Sequence, residues 1–302
     1  MSTLRSGFVA VVGRPNVGKS TLVNKMVGTK VAITSARPNT TRHRILGVLH
    51  DEAADAQIVF VDTPGIHRPR SALGTRLNET ATEALADVDV VMAVVDATAA
   101  VGPGDRTVLE RSVRHLQRSA TAGGAPGLVV VVNKTDRAPT ARVLERLTEA
   151  KDAVEALGEA LDVEYFPVSA RTGEGVEELT RYLIGRLPEG PPFFPPDVVT
   201  DTPEALWIAE LVREQLLAKT RDELPHAITC RVTEWEGPLI RVEIIVERDS
   251  QKAIVIGKGG EILKAVGIAV REQLPEGTYL DLHVKVERRW QNREEMLDRL
   301  GY

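Results

Sequence analysis

The chain has 302 residues, a formal net charge of −5, 27% charged and 43% hydrophobic side chains, and one cysteine. The length predicts two domains, and the composition is that of an ordinary globular protein rather than a disordered one. The lone Cys230 excludes an internal disulfide, residues 1–7 carry no long apolar region of a signal peptide, and the apolar run at 90–95 is too short to span a bilayer.

Taken in chain order, residues 8–12 form a short apolar run that predicts a strand, and Gly13-Arg14-Pro15-Asn16-Val17-Gly18-Lys19-Ser20 follows directly. A triphosphate carries clustered negative charge. Gly13 and Gly18 let the backbone curl so that successive N–H groups face phosphate oxygens. Lys19 reaches the β- and γ-phosphates, the Ser20 hydroxyl ligates Mg²⁺, and the helix starting near Thr21 adds its positive dipole end. A Gly-rich tight turn alone does not explain Lys19-Ser20.

The polar segment 37–44 contains Thr40 and Thr41. A switch threonine is needed there to complete the Mg²⁺ shell, with Thr41 the first choice and Thr40 the second. The strand predicted at 58–61 closes in Asp62-Thr63-Pro64-Gly65. A carboxylate at the C-terminal end of such a strand sits where ligands bind in open α/β sheets and holds Mg²⁺ through water, while the Gly65 N–H meets the γ-phosphate. Many GTPases place a water-orienting Gln next. Here the position is Ile66, followed by His67. Intrinsic hydrolysis is therefore expected to be slow, with Lys19, Thr41, Asp62 and Gly65 stabilising the transition state and no residue assigned as general base.

The apolar run 128–132 leads to Asn133-Lys134-Thr135-Asp136. Asp136 accepts two hydrogen bonds from guanine N1–H and N2–H₂, whereas adenine would leave that carboxylate unpaired. Asn133 either braces neighbouring loops or contacts N7, and the Lys134 stem lies along the base. Ser169-Ala170, after residues 165–168, brings backbone toward guanine O6. Helical patterns at 20–27, 73–86, 105–119, 140–157 and 175–187 alternate with these strands. This predicts an α/β fold, a P-loop doubly wound, mostly parallel sheet over residues 1–187.

Residues 188–203 are proline-rich and read as an extended, semi-rigid linker. Beyond it, over 204–302, a helical stripe at 206–217, strands at 227–232, 239–246 and 281–286, and a helical 291–300 frame Gly257-Lys258-Gly259-Gly260. A Gly-x-x-Gly turn between two short helices lets a nucleic-acid backbone approach, with Lys258 at its tip and Ile254 on its apolar flank. Residues 201–302 hold 15 Lys and Arg against 19 Asp and Glu. RNA affinity must then be local, from Lys252, Lys258 and Lys264 around the turn and from Lys285, Arg288, Arg289 and Arg293. Such a surface suits single-stranded RNA. Trp290 reads as core packing ahead of base stacking.

The order helix–strand–strand–helix–turn–helix–strand resembles a type II KH fold, a smaller α+β domain. Together with 13–22, 40–44, 62–65, 133–136, 255–260, 284–290 and the terminal Leu300-Gly301-Tyr302, the chain resembles the bacterial Era GTPase family over nearly its whole length. The resemblance implies binding to the 3′ end of 16S rRNA and assistance in small-subunit (30S) assembly. It also implies a cytoplasmic location with peripheral contact at the inner membrane face, and a K⁺ held with the help of Asn16. Nothing in the sequence demands more than a monomer. An alternative keeps GTP and GDP as regulatory ligands of an RNA-binding checkpoint factor in which hydrolysis is dispensable. An alanine-rich segment at 97–100 departs from the family pattern without touching a motif.

Overall fold

The computed structural model describes residues 4–121, 127–158, 162–220 and 224–302. The chain forms two compact units: one of residues up to 34 with 41–68 and 76–201, the other of 202–302 with 35–40 and 69–75. Residues 1–3, part of the stretch read for a signal peptide, lie outside the described residues.

The first unit runs β1 (Arg5–Gly13), α1 (Lys19–Val27), β2 (Ile45–Asp51), β3 (Ala56–Asp62), α2 (Ala72–Glu83), β4 (Val90–Asp96), α3 (Pro103–Thr121), β5 (Gly127–Asn133), α4 (Thr140–Glu155), β6 (Val163–Val168) and α5 (Val176–Arg186). Its six strands lie in the order β2-β3-β1-β4-β5-β6. All neighbours are parallel except β2, which runs antiparallel to β3. Successive side chains of a strand point to opposite faces. Val9 and Val11 therefore join Leu22, Leu179 and Leu183 on the α1/α5 face, while Ala10 and Val12 join Leu109, Val113 and Ala150 on the other. Helices on both faces explain why the central strands read as unbroken apolar runs. The antiparallel edge strand β2 was not anticipated. It starts four residues after the switch threonine and ends in the polar His50-Asp51, so it lacks the long apolar run of its neighbours.

The proline-rich stretch is tied down against the first unit, and it turns at 195–198, where the Val198 N–H donates to the Pro195 carbonyl (3.1 Å). Gly190 N–H donates to the Leu4 carbonyl (3.0 Å) and Ser6 Oγ to the Pro191 carbonyl (2.6 Å). Gln57, 1% exposed, accepts from the Phe193 and Phe194 N–H groups (2.7 and 3.1 Å) and donates to the Phe194 carbonyl (2.8 Å). The Phe193 ring packs edge-on to Phe8 at 4.6 Å. Val48 N–H of the edge strand finds the Val199 carbonyl at 2.9 Å.

The second unit runs α6 (Glu204–Lys219), α7 (Leu224–Ala227), β7 (Thr229–Glu236), β8 (Leu239–Val246), α8 (Asp249–Ile256), α9 (Glu261–Arg271), β9 (Tyr279–Val286) and α10 (Glu294–Leu300). Its sheet is ordered β7-β8-β9, with β7/β8 antiparallel and β8/β9 parallel. Leu211, Val212 and Leu216 of α6, Val242 and Ile244 of β8, Val255, Val266 and Val270 are all buried. Two expectations shift. Ala227, expected to start a strand, ends the helical turn α7, and β7 begins at Thr229 and continues to Glu236. Its polar end is held across the hairpin by charge: Arg231 pairs with Glu243 (2.6 Å), and Glu234 with Arg241. An apolar-run reading does not see that pairing. Trp290 is fully buried and its Nε1 donates to the Ala227 carbonyl at 2.9 Å, so it packs and does not stack on bases. Among the described residues no helix is long and apolar enough to cross a membrane.

Candidate functional site

The ends of β1, β3, β4, β5 and β6 bring the motif loops of the first unit to one edge of the sheet, where parallel strands place their ligands. Between β1 and α1 the backbone turns through Asn16 and Gly18, both at positive φ (66° and 97°). Arg14, Pro15 and Val17 lie on this turn, and Thr21 sits in the first turn of α1. Lys19, 6% exposed, donates to the carbonyls of Gly13 (3.3 Å) and Arg14 (3.2 Å). Burial lowers its ammonium to about 8, against the raising effect of the Asp62 carboxylate.

Ser20, Thr41 and Asp62 converge. Ser20 Oγ donates to Asp62 Oδ2 at 2.6 Å and lies 2.8 Å from Thr41 Oγ1, which is 3.3 Å from the same carboxylate oxygen. Thr40, the second choice, instead donates its hydroxyl to the Arg37 carbonyl (2.7 Å). Asp62 is completely buried, and burial raises its carboxyl above the usual range despite Lys19 and the two hydroxyls. Its Oδ1 has no hydrogen-bond partner among the described residues. An unsatisfied buried carboxylate oxygen beside two hydroxyls is the donor set a hard divalent cation takes, so these residues fit Mg²⁺.

Thr63 Oγ1 donates to the Val11 carbonyl (2.8 Å), which locks the turn that Pro64 and Gly65 continue. A Cβ on Gly65 would stand 2.6 Å from the Pro15 nitrogen, so only glycine allows the switch to touch the phosphate loop. Ile66 is 3% exposed in the core, its N–H donating to the Gly13 carbonyl (3.2 Å). The side chain that replaces glutamine thus serves packing. His67 is held by Asn78, which accepts its N–H (3.2 Å) and donates to its carbonyl (2.6 Å).

On the base side, Asn133 braces two loops: Nδ2 donates to the Val17 carbonyl (2.8 Å) and Oδ1 accepts the Ala170 N–H (3.0 Å). Lys134, at φ 70°, donates to the Asn16 carbonyl and to Asp96 Oδ2, both at 2.6 Å. Asp136 accepts from Ser169 Oγ (2.6 Å) and from Arg171 (2.7 Å). The Ser169 hydroxyl, and then Arg171, hold its carboxyl below the ordinary range, so it is an acceptor at neutral pH. The Arg171 side chain is 70% exposed. An ion pair with so exposed a partner is worth about 0–1 kcal/mol, less than two hydrogen bonds from a guanine, so Arg171 does not bar the base.

Sequence reasoning missed Asp96, Asp105, Asn78 and Arg171. Asp96 was within reach, because it ends an apolar strand just as Asp62 does. In the second unit, Gly257, Gly259 and Gly260 take φ of 75°, 61° and 81°, and the turn presents Lys258 to solvent with Ile254 (53% exposed) and Lys264 beside it. Arg288 and Arg289 are exposed, whereas Lys285 and Arg293 both pair with Glu287 (2.9 and 3.1 Å) and are spoken for.

A family model described as "50S ribosome-binding GTPase" matches residues 8–134, and a KH-domain model matches residues 223–291. The GTPase Era of Mycobacterium sp. (strain KMS) is 48% identical and that of Mycobacterium tuberculosis (strain ATCC 25177 / H37Ra) 46%, each over the full length of both chains. The chain belongs to the Era GTPase family. A variant of Aquifex aeolicus Era bound to GDP·AlF₄⁻ superposes with a TM-score of 0.86 at 38% identity, covering 99% of each chain. An Era in complex with MgGDPNP and nucleotides 1506–1542 of 16S ribosomal RNA matches equally, at 38% identity and TM-score 0.86 over 99% of each chain. The mostly parallel GTPase sheet followed by a smaller KH domain is the Era fold, and this Era-family chain is a GTPase.

Proposed function

We propose that GTP occupies the loops of the first unit and that its state governs binding of the second unit to the 3′ end of 16S rRNA during assembly of the small ribosomal subunit. One observation carries this: a single chain joins loops whose buried carboxylate, hydroxyls and Asp136 acceptor match a guanine nucleotide to an exposed Gly257–Gly260 turn tipped by Lys258. Support comes from the relative found with both MgGDPNP and a 16S rRNA segment. Backbone groups of residues 13–21 and the Lys19 ammonium bind the phosphates, Asp136 selects guanine with Ser169 and Ala170 closing that side, and Asn133 and Lys134 hold the two loops in register. Ser20, Thr41 and, through water, Asp62 are the residues to hold Mg²⁺, which when bound supplies positive charge against the β- and γ-oxygens. Ile66, packed in the core, does not orient water as a glutamine would, and turnover is slow.

K⁺ near Asn16 is our reading of how charge at the β–γ bridge is offset. Equal turnover in Na⁺ and K⁺ at matched ionic strength would remove it. We place the protein in the cytoplasm as a monomer with peripheral contact at the membrane. The hydrolysis-dispensable checkpoint is not favoured, because a relative binds GDP·AlF₄⁻, a mimic of phosphoryl transfer. The testing experiment is crosslinking to cellular RNA with GDPNP or GDP bound. Crosslinks through Lys258 that map to the small-subunit rRNA terminus, and vanish in Lys258→Glu, support the proposal. Crosslinks scattered over unrelated RNAs refute it.

A further inference from the structure

We propose that Asp105, outside every nucleotide-binding motif, is a positioning residue for the phosphate loop and acts through Arg14. The Asp105 side chain is 2% exposed, and its Oδ1 accepts the Arg14 Nε–H at 2.7 Å. Its Oδ2 accepts the Gly102 N–H at 3.0 Å, which fixes the carboxylate at the start of α3. The Arg14 stem lies flat on the same helix, where a Cβ on Gly104 would stand 2.5 Å from Arg14 Cδ. The guanidinium therefore turns away from the cradle, and the residue's carbonyl faces in to accept Lys19 (3.2 Å).

The connection from β4 to α3 ties both halves of the site. At its start Asp96 holds Lys134 (2.6 Å), and the Ala97 N–H donates to the Asn133 carbonyl (2.8 Å). Midway the Val101 N–H is taken by Glu149 (2.9 Å), and at its end Asp105 holds Arg14. The alanine-rich 97–100 segment, which touches no motif in sequence, is thus the span between the guanine loop and the phosphate loop. A charge-assisted hydrogen bond from a buried carboxylate is directional and strong enough to set where a loop sits. Freed from it, Arg14 and the peptide carrying its carbonyl lose their reference point, and the cradle no longer matches the β-phosphate.

The inference rests on residues 13–20 being the phosphate cradle, and the test separates the two. The full-length protein is titrated with fluorescent GDP and with a fluorescent non-hydrolysable GTP analogue, as wild type, Asp105→Asn, Arg14→Gln, the double variant and Lys19→Ala, with melting temperatures alongside. Asp105→Asn and Arg14→Gln should each weaken both nucleotides about tenfold, the worth of one hydrogen bond to a charged group. The double variant should be no worse than either single, as expected for one shared interaction. Selectivity for guanine over adenine stays as in wild type, and Arg14→Lys recovers part of the loss. Unchanged affinity in Asp105→Asn, a fall in melting temperature alone, additive losses, or tighter binding because a released Arg14 grips phosphate would each overturn it. If Lys19→Ala also binds normally, the cradle reading itself falls. If only Lys19→Ala loses nucleotide, the cradle stands and Asp105 has no part in it.

Discussion

Lys19 gives the most direct reading of the phosphate cradle by titration. Burial brings its ammonium from 10.5 down to about 8 in the ligand-free protein, and the phosphates need it charged. Above that value the free site holds fewer protons than the complex, so binding takes up a proton and affinity falls as pH rises. From pH 7 to pH 9 the charged fraction drops from about nine-tenths to about one-tenth, and the apparent Kd should rise about tenfold, near 1.4 kcal/mol. Equilibrium titration with a fluorescent non-hydrolysable GTP analogue at constant ionic strength measures it. Lys19→Arg, which keeps its charge throughout, is the control and also absorbs any titration of guanine itself. A flat wild-type profile, or a variant as steep as wild type, refutes the reasoning. The same shift has a folding counterpart of the opposite slope. The unfolded chain binds more protons between about 8 and 10.5, so Lys19's own contribution to ligand-free stability improves with pH across that window.

Asp136→Asn replaces two acceptors by one acceptor and one donor: GTP affinity should fall at least about a hundredfold while xanthosine triphosphate, with a carbonyl at C2, gains, as competition binding will record. Gln57→Ala leaves the Phe193 and Phe194 N–H groups unpaired and opens a hole, costing roughly 2–4 kcal/mol in urea unfolding with guanine-nucleotide affinity unchanged. Trp290→Phe removes the Nε1 bond to Ala227 and should cost about 1–3 kcal/mol of stability with RNA binding retained. Loss of RNA binding at unaltered stability would restore a stacking role.

The parallel core was legible because strands covered on both faces have no polar side to interrupt them, and the loops at 13–20, 62–65 and 133–136 were legible because each is a motif of consecutive residues. What stayed hidden was made by partners far apart in the chain. Arg14 and Asp105 stand 91 positions apart, and Gln57 and Phe193 136. Each is an unremarkable polar residue until the fold closes. Strand β2 escaped for another reason: one edge and a polar end give it too few apolar positions to register as a strand. The extent of β7 escaped because Arg–Glu pairs, not apolar side chains, continue the hairpin.

The tied-down proline stretch has a practical consequence for dissecting the molecule. A fragment cut after Leu187 would strip Gln57 of its buried backbone partners and uncover the Val48 N–H on the outer margin of the sheet, inviting another molecule to add a strand there. One cut after Asp201 keeps its own guard in place. Self-association of a nucleotide-binding fragment is therefore set by some fourteen residues that contribute nothing to the nucleotide.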